Sequence, residues 1–225
     1  MNPLFLSVLA LLILGLWLAV QLVQASRART LARSSYFDAV KPLLSGVKAR
    51  TEPTGFPRVS GLYDGLSIDL QAIPDTLTFR KLPALWVMLT LTEPLPLQAT
   101  IDLLARPSGN EPFTRFATLL VSLPAIPDLP KDVAIRCDEA GHLPQAALLA
   151  RHADLFADPR VKELVLSPKG LRIVILAEEA DRGRYLIFRE AEMGMSPLRP
   201  DRIAPLLDRL LALREDVLAL TKDPA

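Results

Sequence analysis

From Pro3 to Gln24 the chain carries no charged side chain, reading PLFLSVLALLILGLWLAVQLVQ. A helix rises 1.5 Å per residue, so this run covers roughly 33 Å against a hydrocarbon core of about 30 Å. That is a spanning length, and it restricts everything that follows to a protein tied to a bilayer or sent through one. A secretory signal has a shorter apolar part behind a basic stretch, whereas only Met1 and Asn2 precede this one. Residues 1–25 are therefore expected to be retained as a transmembrane anchor. Val23-Gln24-Ala25 satisfies the small-residue rule for a cleavage site and supplies the competing reading, in which the segment is removed.

The cations are one-sided. Arg27, Arg29, Arg33, Lys41, Lys48 and Arg50 follow the apolar run, and no Lys or Arg precedes it. The positive-inside bias then places residues 26–225 in the cytoplasm, on a single-pass protein of a bacterial plasma (inner) membrane. Arg27, Arg29 and Arg33 form the expected anchor interface, since each cation beside an anionic leaflet contributes about 1 kcal/mol. The plainer reading of these three is a stop-transfer block with no lipid specificity.

A formal net charge of +1 conceals this asymmetry: residues 25–50 hold six basic and one acidic side chain, residues 51–225 hold 20 basic and 24 acidic. Phosphate backbones are neutralised by clustered Lys and Arg, so a mildly acidic domain is not expected to bind nucleic acid. Cys137 is the one cysteine, which excludes an intrachain disulfide and a C-x-x-C pair. Within VAIRC it reads as a small buried hydrophobe.

Residues 26–50 read as a basic juxtamembrane helix or linker, and residues 51–225 as one soluble α+β domain that folds without the anchor. LARSSYFDAVKPLLSGVK spaces Tyr36, Phe37, Val40, Leu43, Leu44 and Val47 as a helix does, with Pro42 as a kink. RVSGLYDGLSIDLQAI is a hairpin signal, because Asp64-Gly65 supplies the positive φ angles of a tight turn. LPALWVMLTLT is too short to cross a membrane and reads as a buried central strand, with QATIDLLARP as its expected neighbour through LTEPLP. VAIRC is a further strand. LPQAALLARHADLFADPRVKEL suggests two helical runs parted at Asp158-Pro159. LVLS, LRIVIL and RYLIF, separated by turn residues, predict a three-stranded antiparallel meander. DRIAPLLDRLLALREDVLAL reads as an amphipathic helix with Ile203, Leu206, Leu207, Leu210, Leu211, Leu213, Val217 and Leu220 largely on one broad face.

Chemistry leaves little trace. The chain lacks G-x-x-x-x-G-K-[ST], G-x-G-x-x-G, G-x-S-x-G and H-E-x-x-H. No catalytic, cofactor-binding or metal-ligating residue is assigned. Glu178, Glu179 and Asp181 beside Arg182 and Arg184 form the best acidic cluster, read as a solvated hairpin tip. His142 and His152, with Asp138 and Asp154 nearby, fit no metal spacing. Arg80 and Lys81, before the central strand, make a weak candidate binding loop for a partner's acid or a phosphate; gatekeeping against strand aggregation is the favoured reading of the pair. The leading expectation is a non-enzymatic binding or accessory domain that meets a protein partner at the membrane. The alternatives are a tethered hydrolase-like enzyme with an unrecognised acidic or histidine site, and a lipid-handling domain with a cavity between sheet and terminal helix.

Overall fold

The computed structural model describes residues 3–76, 82–139, 146–188 and 191–220. Helix α1 runs unbroken over Pro3–Ser34 and is followed by turns and a short 3-10 segment at Lys41–Leu43. Nine strands come next: β1 Ser45–Thr51, β2 Pro57–Tyr63, β3 Leu66–Asp75, β4 Ala84–Leu91, β5 Ile101–Ala105, β6 Val121–Leu123, β7 Val133–Cys137, β8 Val161–Ser167 and β9 Gly170–Glu179. Helices α2 (Ala146–Arg151), α3 (Arg182–Phe188) and α4 (Pro200–Leu220) complete an α+β fold. All pairings are antiparallel, in the order β1-β2-β3-β4-β9-β8-β5-β7-β6.

The expected hairpin is β2–β3, closed at Asp64 and Gly65 with φ of +49° and +77°. LWVMLTL is the central strand, held by β3 on one side and β9 on the other. Three expectations give way. QATIDLL becomes β5, but it pairs with β8 and β7 and not with β4, because both edges of β4 are already taken. RYLIF is helical as α3: β9 is flanked by β4 and β8, so no edge is left for a third meander strand. The stretch after Asp158-Pro159 is β8 and not a helix; the Asp158 carboxylate instead accepts from the Arg160 N–H at 2.8 Å in a turn leading into the strand. The helical reading of residues 31–48 also ends early, since Ser45–Thr51 pairs with β2.

Alternation along the strands sends Ile68, Leu70, Leu85, Val87, Leu89, Leu103, Leu164, Ile173 and Ile135 to one face of the sheet. Over it lies α4, burying Ile203, Leu207, Leu210, Leu213 and Val217. Polar ties fix its placement: Tyr63 donates to Asp208 at 2.6 Å, Arg214 grips Glu93 at 2.5 and 2.8 Å, and Asp216 meets Arg151 at 2.8 Å and His152 at 2.9 Å. The opposite face carries a smaller core of Leu104, Val174, Phe113 and Phe116. The last two belong to the connection between β5 and β6, which folds back across the sheet.

Candidate functional site: the end of the sheet beside α1

α1 is exposed from Leu9 to Ala28 and begins to touch the domain at Arg29. Just past its end Tyr36, Phe37 and Val40 are fully buried, so the apolar helix is rooted in the main core. The Tyr36 ring lies 5.4 Å from Phe37 and 5.6 Å, edge-on, from Phe56, while the Arg33 guanidinium stacks over Phe56 at 5.5 Å. The Leu198 N–H donates to the Tyr36 carbonyl at 2.8 Å. Gly194 has a φ of +72°, and a Cβ there would stand 2.3 Å from the Phe56 ring, so the strap before α4 closes on this aromatic plug only with glycine. The Gly194 N–H donates to Glu178 at 2.8 Å. Burial first, then the adjacent Glu178 charge, hold the Tyr36 phenol well above its usual range, so it stays neutral.

Strand register defines which end of the sheet this is. β3 finishes, β4 starts and β9 finishes here, where Asp75 pairs with Ala84 and Ala84 with Glu179. α3 follows directly, tied by the Tyr185 N–H to the Asp181 carbonyl at 2.9 Å. Arg29 and Arg33 of α1, Tyr185 of α3, Thr76, Pro83, Ala191 and Glu192 line an open cleft of about 450 Å³. Beside it α3 turns two adjacent apolar side chains outward, Leu186 at 56 % and Ile187 at 74 % exposure.

A second cluster lies under the β5–β6 connection. Asp102 and Glu163 are buried at 2 % and 0 %, and Arg172 meets Glu163 at 2.9 Å. In register, Asp102 stands level with Val165 and Arg172, Glu163 level with Leu104 and Val174, so the three charges are diagonal neighbours on one face. The Thr114 hydroxyl lies 3.3 Å from Asp102. Asp102 is pushed up to about 8, chiefly by burial and next by the Glu163 charge. Glu163 is also raised, mainly by burial. The connection itself is pinned by Glu111, which accepts from the Ser108 N–H (2.6 Å), the Ser108 hydroxyl (2.8 Å) and the Gly109 N–H (3.0 Å) beside Lys162 at 3.2 Å. Burial alone would raise Glu111, but the Ser108 donors and the Lys162 ammonium outweigh it and hold the carboxyl at about 2. This arrangement can hold a proton between two acids, but its carboxylates are sealed beneath the loop.

Of the residues singled out in the sequence, Arg27 is exposed on α1, and Arg29 and Arg33 come together at the cleft. Arg80, Lys81 and His142 lie outside the described residues. His152 is buried with its Nε2 2.9 Å from Asp216, Asp154 pairs with Arg209 and Asp138 accepts from the Thr100 N–H at 2.7 Å, so the structure does not assemble them as one set. Among the described residues there is no group of three or more His, Cys, Asp or Glu arranged to hold a metal. Glu178 is not on a solvated hairpin tip: it caps the strap at Gly194. Sequence reading passed over α3, whose Tyr-Leu-Ile-Phe run mimics a strand, and the Asp102, Glu163 and Arg172 cluster. The available signal for that cluster was a charge inside each of three apolar strands, in TIDLLA, VKELVL and LRIVIL. A scan against protein-family models, a search of curated proteins and a search of solved structures each returned no match.

Proposed function

We propose that this is a single-pass membrane protein whose α+β domain is held at the cytoplasmic face of a plasma membrane and acts as a non-enzymatic binding or accessory module. The observation that carries the reading is the joint between span and domain: one helix long and apolar enough to cross a bilayer ends in residues that are fully buried in the core. A span rooted this way limits the domain's distance and tilt relative to the leaflet, and so raises its effective concentration toward anything else at that surface. The length of the uncharged run, beyond that of a secretory signal's apolar part, supports retention of the segment. The block of Arg27, Arg29 and Arg33 supports the cytoplasmic side.

The competing readings have less behind them. A tethered hydrolase needs its acids open to substrate, whereas Asp102 and Glu163 are covered. Lipid handling needs a cavity between sheet and α4, where Ile203, Leu207 and Leu210 are packed to full burial.

Reporter fusions test the topology. An alkaline phosphatase joined after Ala225 is expected to be inactive and a fluorescent protein in its place to mature, with the amino terminus of the purified chain upstream of Ser26. Active phosphatase overturns the orientation, and an amino terminus at Ser26 overturns the anchor. Crosslinking in the intact membrane, followed by identification of the captured protein, tests for the partner.

A further inference from the structure

α3 is placed where a bilayer surface would be. Tyr185 shares its cleft with Arg29 and Arg33, so the short helix stands beside the turns of α1 that follow the apolar run. Counting from Gln24, the end of the uncharged run, at 1.5 Å per residue, Arg29 lies roughly 8 Å and Arg33 roughly 13 Å along the axis. The headgroup layer on each side of the hydrocarbon is about 5–7 Å thick, and helices tilt by about 20°, so Arg29 stands at the outer margin of the headgroups and Arg33 just beyond it. Here the fold exposes Leu186 and Ile187 side by side, with Met195 also 46 % exposed on the strap that closes the same end. The cations at this end, Arg27, Arg29, Arg33 and Arg182, stand among the acids Glu179, Asp181 and Glu192, and of these charges the arginines are the ones an anionic leaflet attracts. Elsewhere among the described residues of the domain, Leu120 at 89 % precedes β6, whose Val121 pairs with Cys137 at the far ends of the strands, and Leu62 and Val47 are exposed singly on β2 and β1. Apolar exposure flanked by arginine is therefore found at the end from which the span departs.

We propose that α3 is a second membrane contact, resting on the single-pass reading above: Leu186 and Ile187 enter the headgroup layer of the leaflet that α1 leaves, while Arg29, Arg33 and Arg182 take the phosphates of anionic lipids. A second contact off the α1 axis fixes the domain's rotation about that axis, so the domain is held at one tilt instead of swivelling about α1. Partial insertion of a short amphipathic segment is the ordinary way for a tethered domain to do this.

The test uses the full chain in bilayers of phosphatidylcholine, alone or mixed with phosphatidylglycerol. An environment-sensitive fluorophore is attached through Leu186→Cys, through Leu120→Cys as the distal control, or through Leu18→Cys as a reporter of the span, in each case with the buried Cys137 left in place. Lipids with a quencher near the headgroup are expected to quench the Leu186 position at least about threefold more than the Leu120 position, and more strongly with phosphatidylglycerol present. Arg29→Gln with Arg33→Gln is expected to remove the dependence on phosphatidylglycerol. Quenchers deep in the acyl region should reach the Leu18 label in every sample. A quenched Leu18 label with the Leu186 position no different from Leu120 overturns the second contact and leaves the anchor standing. An unquenched Leu18 label overturns the anchor and, with it, this inference. Equal quenching at Leu186 in both lipid mixtures overturns the part assigned to the arginines.

Discussion

Asp102 and Gly65 show how single residues set what this fold tolerates. The folded Asp102 carboxyl ionises at about 8, through burial first and Glu163 second, whereas in an unfolded chain it ionises near ~4. Between those values the folded state keeps a proton that the unfolded state has lost, so this group's contribution is complete below about pH 4 and declines as pH rises to about 8. Glu163, raised as well, acts in the same direction, while Glu111 at about 2 contributes in the opposite sense, its stabilisation fading only as pH falls below about 4. The charged and polar groups facing Asp102 are Glu163 from β8, Arg172 from β9, Arg136 across the β5–β7 pair and Thr114 from the loop. Asp102→Asn is expected to flatten the loss of stability between about pH 5 and pH 8 in urea titrations, and an unchanged slope would refute the assignment. Gly65→Val forces a β-branched residue to a φ of +77° and should cost about 1–3 kcal/mol in the same assay. Glu178→Ala, which would be neutral on a solvated turn, is expected to cost about 1–2 kcal/mol because it strips the Gly194 N–H of its acceptor.

Among the elements, the stretch from Arg33 to Leu44 matters most, since it joins a helix long and apolar enough to cross a membrane to the core. Phe37 is fully buried, and Phe37→Ala should destabilise the domain by about 3–5 kcal/mol, read by denaturant unfolding of the detergent-solubilised chain. A cost under about 1 kcal/mol would mean that the plug is not packed as described. The α3 segment makes the converse point. LVLS, LRIVIL and RYLIF look alike as short β-prone runs, but a strand exists only where a neighbour has a free edge, and β9 has none to offer RYLIF. QATIDLL went to β8 and β7 for the same reason.

For the whole molecule, the packed core begins before the sheet does. Starting the chain at Thr51 deletes β1 and the buried Tyr36, Phe37, Val40 and Leu44, whose combined burial is of the same order as the ~5–15 kcal/mol that separates folded from unfolded domains. A chain starting at Arg27 is expected to melt cooperatively, and one starting at Thr51 to be less stable by about 5 kcal/mol or more, or to aggregate. Comparable midpoints for the two would show that the juxtamembrane stretch is a linker after all.

The uncharged run, the Asp-Gly hairpin, the central apolar strand and the amphipathic terminal helix are all settled by the sequence itself. Each depends on a local quantity: a length against a bilayer, a φ angle, a period of two or of 3.6. The α+β class follows from their order. Only the tertiary structure decided which strands are neighbours, that Asp102, Glu163 and Arg172 share one face, and that α3 stands beside Arg29 and Arg33 with Leu186 and Ile187 outward. Those are non-local choices, made by competition for a limited number of strand edges and core positions. A residue's own neighbours in the chain carry no record of who wins that competition.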